Sequence, residues 1–255
     1  MRTRLLFPIY VVYALAVCQA GSAGVIGNVK ANCADGEEVH ISGVVTADLE
    51  SSLCEACQYI QDADGCAGIK VYGLGGFEGV EYGFTGVMGT DADGERFIQW
   101  VPDAMCSIPQ PSVRPKLLVN RCVGGGPFCH DPNTGRGQCG VDACVGLNNV
   151  GLFVKTCGRV TAWEIDQACF YVDDGSLRDD GTGHQGLRVS YADFPAAGPY
   201  LIPKPAKPGA PVIEGDYVAV TGISSVFKNG DSEVQSVIRL RRQGDIDWYH
   251  YGTGW

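Results

Sequence analysis

Four blocks of this chain occur twice, in the same order. Gly43-Val44-Val45-Thr46-Ala47 returns as Gly158-Arg159-Val160-Thr161-Ala162, and Cys57-Gln58-Tyr59-Ile60-Gln61-Asp62 returns as Cys169-Phe170-Tyr171-Val172-Asp173-Asp174. Gly68-Ile69-Lys70-Val71 returns as Gly186-Leu187-Arg188-Val189, and the nine residues from Gly79 to Val87 align without a gap on Gly215 to Ile223. A chain that repeats itself in this way folds each copy into a similar unit. The 255 residues therefore divide into two related modules rather than one large domain.

Inside each block apolar and polar residues alternate, the period of a half-buried strand. Strands are predicted over 39–47, 59–62, 69–72, 84–88 and 96–101 in the first copy. The second copy repeats them over 153–162, 168–173, 186–191, 217–226 and 233–240. Asp62-Ala63-Asp64-Gly65 and Asp91-Ala92-Asp93-Gly94 supply turn chemistry between strands, and Asn229-Gly230 is the strongest short hairpin signal. With 36 glycines and 13 prolines in the chain, the class is all-β.

Five strands with a long connection before the fourth describe a small Greek-key barrel. The blocks themselves resemble the OB-fold modules of large secreted and surface proteins of bacteria, in which G-x-V-T, Y-I-x-D and G-D-x-V-x-V-x-G recur. The resemblance covers about residues 26–101 and 147–247. It implies two tandem five-stranded OB-fold-like barrels, and nucleic-acid binding as the activity attached to that fold by kinship alone.

The N-terminus reads as a secretory signal peptide over residues 1–20. Arg2 and Arg4 precede an apolar run from Leu5 to Val17, and small residues flank a cut after Ala20. That run is too short to span a bilayer, so no transmembrane segment is expected in the mature chain. Lipid anchoring at Cys18 is the disfavoured alternative, because Val17 is bulky for a lipoprotein box. Export suits the remaining cysteines: Cys33, Cys54, Cys57, Cys66, Cys106, Cys122, Cys129, Cys139, Cys144, Cys157 and Cys169 are disulfide candidates in an oxidising compartment. Their number is odd, which leaves one thiol free or bonded to another chain. Cys157 and Cys169 fall on neighbouring predicted strands, where a bridge could form.

The modules are then residues 21–101, with an N-terminal extension, and residues 150–255, with an aromatic tail. Residues 102–149 form a Cys-rich connector without core periodicity, expected to be disulfide-stapled. A proline-rich arm at 194–211 sits in the third-to-fourth connection of the second module.

Net charge is −10, so the surface repels polyphosphate and nucleic acid is an unfavoured partner. The second module carries ten basic against thirteen acidic side chains over 151–255. Tyr171, Arg188, Tyr191 and Arg159 are its ligand-binding candidates, for a glycan or a single strand, because an OB-fold reads ligands with aromatics and cations on strands two and three. Asp173, Asp174, Asp179 and Asp180 are a weak calcium candidate; no other cofactor is expected. One C-x-x-C, Cys54 to Cys57, falls short of the paired motifs of structural zinc. His40, His130, His184 and His250 are scattered without a nucleophile motif, so no catalytic residues are assigned.

The favoured function is therefore a non-enzymatic structural subunit of an extracellular or cell-surface assembly, a filament, sheath or layer. Self-association would use Val25, Ile26 and Val29 as a donated strand, and the tail residues Trp248, Tyr249, Tyr251 and Trp255. The alternative is a monomeric extracellular binding module for a glycan or single-stranded nucleic acid.

Overall fold

The computed structural model describes residues 26–49, 56–103, 105–110, 113–192, 214–230 and 233–249. The elements of the first half are α1 (Ile26–Asn32), β1 (Glu38–Ala47), β2 (Cys57–Gln61), β3 (Gly68–Tyr72), β4 (Val80–Thr90) and β5 (Arg96–Trp100). The connector adds β6 (Cys106–Pro109), β7 (Lys116–Leu117), β8 (Phe128–Asp131) and β9 (Arg136–Gln138). The second half holds β10 (Phe153–Glu164), β11 (Cys169–Asp173), β12 (Leu187–Ser190), β13 (Tyr217–Asn229), β14 (Glu233–Arg239) and β15 (Ile246–Tyr249). Every predicted strand is present, and β1, β4, β10 and β13 extend beyond the predicted bounds.

In the first sheet β1 pairs with β2, β2 with β3, β3 with β5 in parallel, β5 with β4, and β4 returns to β1. That circuit closes a five-stranded barrel. The second sheet repeats the circuit as β10, β11, β12, β14 and β13, with β12 and β14 again parallel and β13 returning to β10. The repetition reaches single residues. The register slips by one between Val45 and Ala47 on β1, and between Val160 and Ala162 on β10. The extra residue is the threonine of the repeated G-x-V-T block. Thr46 Oγ1 donates to the Tyr59 carbonyl at 3.3 Å, and Thr161 Oγ1 donates to the Tyr171 carbonyl at 3.4 Å. A bulge sharpens local twist and bends its strand, as a barrel of this size requires.

The two barrels are closed at one end by different segments. α1 plugs the first: Ile26 and Val29 join Ile41, Ile60, Phe84 and Ile98 in its core. The expected donor strand is therefore corrected to a helix. Ile26, Val29 and Lys30 lie three and four apart, the spacing of one helix face, and all three are buried. Asp62 Oδ1 accepts from the Ile26 N–H at 2.9 Å, satisfying a donor that the helix start leaves free. In the second barrel the connector does this work. Val123 is fully buried among Val154, Phe170 and Val220, and Asn120 donates to the Val172 carbonyl and accepts from Thr156 Oγ1.

The connector is thus woven into both halves rather than left as a free span. β6 pairs with β4, β7 runs parallel to β10, and the β8–β9 hairpin packs on α1. The expectation of a staple is not met by bonds among the described residues: Cys106, Cys122, Cys129, Cys139 and Cys144 are free thiols, as are Cys33, Cys66, Cys157 and Cys169. Cys57 is disulfide-bonded. A bridge between Cys157 and Cys169 is excluded by register. Cys169 faces Glu164, seven positions along β10 from Cys157, a separation of roughly 20 Å.

Between the barrels lies a seam of buried charge. Glu95, 1% exposed, accepts from Tyr59 Oη at 3.1 Å and from Ser225 Oγ of the second barrel at 2.7 Å. Lys70 Nζ stands 2.8 Å from Glu95 and 2.7 Å from Asp91. Burial alone would lower the Lys70 pKa, but Glu95, Tyr59 and Asp91 outweigh it and hold the amine well above the lysine range. At the rim, Arg241 lies 4.0 Å over the Phe153 ring, donates to the Thr46 carbonyl and pairs with Glu78 and Asp245. Gly68 and Gly151 meet backbone to backbone.

Lys30 is the second buried amine of the seam. Its Nζ donates to the carbonyls of Gly68 at 3.0 Å and Val150 at 2.9 Å, tying α1 to both halves. Burial drops its pKa from 10.5 to about 8. Two carbonyl acceptors suit a neutral amine, which has two N–H donors. Between pH 8 and 10 the unfolded chain then holds the proton that the folded chain has lost. The Lys30 contribution to stability is expected to rise with pH there, by up to about 1.4 kcal/mol per unit, against an opposite trend from thiols such as Cys139 and Cys169, whose pKa burial raises. Above pH 10 the trend reverses, because burial also raises the Tyr59 pKa and the unfolded phenol ionises first. Urea unfolding at half-unit pH intervals checks this by difference: the stability of the native chain minus that of Lys30→Met should grow between pH 8 and 10.

Candidate functional site

A cleft of about 610 Å³ opens where both halves and the connector meet. Four elements supply its walls: the turn after α1 with Asp35, the β4–β5 turn with Thr90, Gly94 and Arg96, the β8–β9 hairpin with His130, Asn133 and Thr134, and the β13–β14 hairpin with Lys228 and Val234. Each wall follows from local chemistry. Asp91 Oδ1 accepts from the Asp93 and Glu95 N–H groups, and Gly94 takes φ +85°, so the D-A-D-G turn forms where the sequence predicts it. Asp131 closes the β8–β9 hairpin by accepting from Asn133 N–H and Thr134 Oγ1, bonds that hold its carboxyl below the usual range. Lys228 precedes the Asn229-Gly230 turn, and its N–H donates to Asp93 Oδ1 at 3.3 Å, which holds the two hairpins together.

Arg96 is the fixed centre of the cleft. It is 1% exposed, pairs with Asp35, and donates to Thr90 Oγ1 at 3.0 Å and to the Cys33 carbonyl at 2.7 Å. Burial lowers its pKa, while the Asp35 carboxylate opposes that shift. Lys228 and His130 are exposed at the mouth. Cys139 shares the cleft but is not an activated nucleophile. Its Sγ donates to the Gly94 carbonyl at 3.1 Å, and burial pushes its pKa up, the reverse of what thiolate chemistry needs.

The ligand candidates of the second module do not converge on a surface. Tyr171 is fully buried, with its hydroxyl accepting from Thr182 Oγ1 and its ring 4.8 Å from that of His184. Tyr191 is buried beside Trp163. Arg188 lies over Phe227 and donates to Gln167, and Arg159 is exposed on β10. Tyr171 stands on the outer face of β11, opposite Arg188 and outside the barrel core, where Thr182 and His184 cover it, while Tyr191 joins the core, so neither ring is open as a platform.

The calcium expectation is likewise corrected. Asp173 accepts from the Gly175 and Leu177 N–H groups, Asp174 from Asn120 and Ser176, Asp179 from Gly181, and Asp180 from Thr182. These carboxylates cap their own loop, and among the described residues no group of three His, Cys, Asp or Glu side chains converges for a metal. Of the assembly candidates, Ile26 and Val29 are in the first core and Trp248 packs on Phe170, 6.1 Å between ring centroids. Tyr249 is 60% exposed. Val25, Tyr251 and Trp255 lie outside the described residues, as do Cys54, the expected leader over 1–20 and the expected arm over 194–211.

Sequence reasoning missed Arg96, Asp35 and Lys228. The one signal for them is their position beside turn motifs, which carries no hint that three separate turns share a cleft. Comparison with models of known protein families gives no match, and comparison with curated proteins gives none either. No helix among the described residues is long and apolar enough to cross a membrane.

Proposed function

We propose that this chain is an exported, non-enzymatic binding protein built on two OB-fold-like barrels, and that it takes a small acidic sugar in the cleft around Arg96. The carrying observation is the placement of Arg96 and Lys228 with Asn133, Thr134 and Thr90 in one cleft walled by both barrels. The exposed Lys228 suits a carboxylate, with Arg96 holding the wall behind it through Asp35, and the neutral amide and hydroxyls suit sugar hydroxyls. Two of the cleft walls are the loops between fourth and fifth barrel strands that an OB-fold can use for nucleic acid, but the net charge of −10 opposes a polyphosphate. The repeated blocks, the matched bulges and the leader support the family and compartment of this reading.

Titration calorimetry with uronic-acid oligosaccharides and their neutral counterparts tests it. Binding of the acidic set is expected, and Lys228→Ala should weaken it about tenfold, the scale of one charge-assisted contact. Equal heats for acidic and neutral sugars, or none for either, would sink the reading.

The second reading, a subunit of an extracellular assembly, keeps one observation. All four residues of β6 are exposed, including Ile108 at 58%, along a sheet edge. Light scattering on the same samples separates the two: polymers would favour assembly, and a monomer would favour binding.

A further inference from the structure

We propose that Cys122 and Cys144 form a disulfide that locks the connector beneath the second barrel. The backbone sets the pair. The Val145 N–H donates to the Arg121 carbonyl at 3.0 Å, and the Val141 N–H donates to the Gly125 carbonyl at 3.0 Å. Cys122 ends a 3-10 turn, and Cys144 closes a tight turn in which its N–H donates to the Val141 carbonyl at 3.1 Å, so each cysteine sits at the end of a turn beside these bonds. The first bond alone keeps the two Cα atoms within about 8 Å, from standard backbone lengths. A disulfide needs roughly 4.4–6.8 Å between them.

The sulfurs approach the same space. Cys144 Sγ donates to the Val123 carbonyl at 3.1 Å, on the residue that follows Cys122. A β-carbon built on Gly146 would stand 3.9 Å from Cys122 Sγ, so that sulfur points at the segment carrying Cys144. The Arg178 guanidinium contacts Cys144 Sγ, where it offsets the negative charge of an attacking thiolate.

The chemistry balances with a glutathione-type disulfide as oxidant. Each thiol gives up its proton, one S–S bond forms, and the two electrons reduce the oxidant to two thiols. The bond would pin Asn120 and Val123, which close the second core. The proposal leans on export only for the source of oxidant.

The test equilibrates the mature full-length protein in a glutathione redox buffer, alkylates free thiols, and maps peptides without reduction. Trypsin leaves 122–136 and 137–155, and fragmentation then separates Cys122 from Cys129 and Cys144 from Cys139. A 122-to-144 link is expected. Alkylation of either cysteine, or a link from either to a different one, overturns the proposal. As a second readout, Cys122→Ser with Cys144→Ser should lower Tm by roughly 5–10 °C in the oxidising buffer, and by nothing in dithiothreitol. A difference that persists in dithiothreitol would show a packing effect and overturn it. A bond that forms in the buffer but is missing from protein isolated from its host supports the geometry and counts against an oxidising compartment.

Discussion

Gly68→Ala should destabilise the protein by about 3 kcal/mol or more, the upper range for overpacking, and lower Tm by roughly 6–12 °C. A methyl group at position 68 would sit 2.2 Å from the Gly151 carbonyl oxygen and 2.5 Å from its carbon. Both are backbone atoms at the start of β10, so no side chain can swing away. The strain is relieved only by parting the barrels, which also stretches the Lys30 bond to the Gly68 carbonyl. Gly244→Ala is the control, since a β-carbon there meets nothing within 4 Å, and its effect should stay within about 0.5 kcal/mol. Hydrogen exchange should report faster opening over 66–70 and 148–152 in the first variant and no change in the second. Equal Tm values for both variants would mean that the glycine contact does not hold the halves together.

Glu95→Ala is the larger test of the seam, with an expected loss of about 3–5 kcal/mol. One carboxylate serves Lys70, Tyr59 and Ser225, and removing it leaves an ammonium and two hydroxyls buried with fewer partners. The cost comes from stranded groups more than from the attraction lost. Lys70→Met combined with Glu95→Ala should therefore recover much of the loss, and a double-mutant cycle by denaturant unfolding measures the coupling. A double variant as unstable as the sum of its singles would contradict a shared network.

The ten barrel strands were legible because each turns one face to its own core. Ile69 and Val71 point inward and Lys70 outward, and that alternation survives in the sequence. What the alternation cannot say is that the outer face of β3 is covered. Lys70 and Glu95 read as solvent-facing residues, and their burial is decided by a barrel more than a hundred residues away. α1 was missed for a related reason. Seven residues hold too few turns to separate a helical period from a strand, and the core that receives Ile26 lies on β1 to β5. The cleft shares that origin: Asp35, Arg96, Asn133 and Lys228 belong to four turns, and only tertiary packing gathers them. The repeated tyrosines were visible as a pair, yet both stand on outer faces, Tyr59 opposite Lys70 and Tyr171 opposite Arg188, and what covers them comes from elsewhere in the chain.

The seam also sets an order in time. Ser225 reaches Glu95 across 130 residues, and Arg241 reaches Thr46 across 195, so neither contact exists while the chain is still being made. Domains fold in the order they emerge, and the first barrel can close its own strand circuit from residues 26–100 alone. During that wait, the face destined for its twin carries Lys70, Asp91 and Glu95 beside the apolar Ala47, Cys57 and Tyr59. The half-made molecule keeps a partly wettable surface that resists sticking to its neighbours. A leucine-rich joint of the same size would hold as well at the end, but would leave every nascent chain adhesive in the meantime.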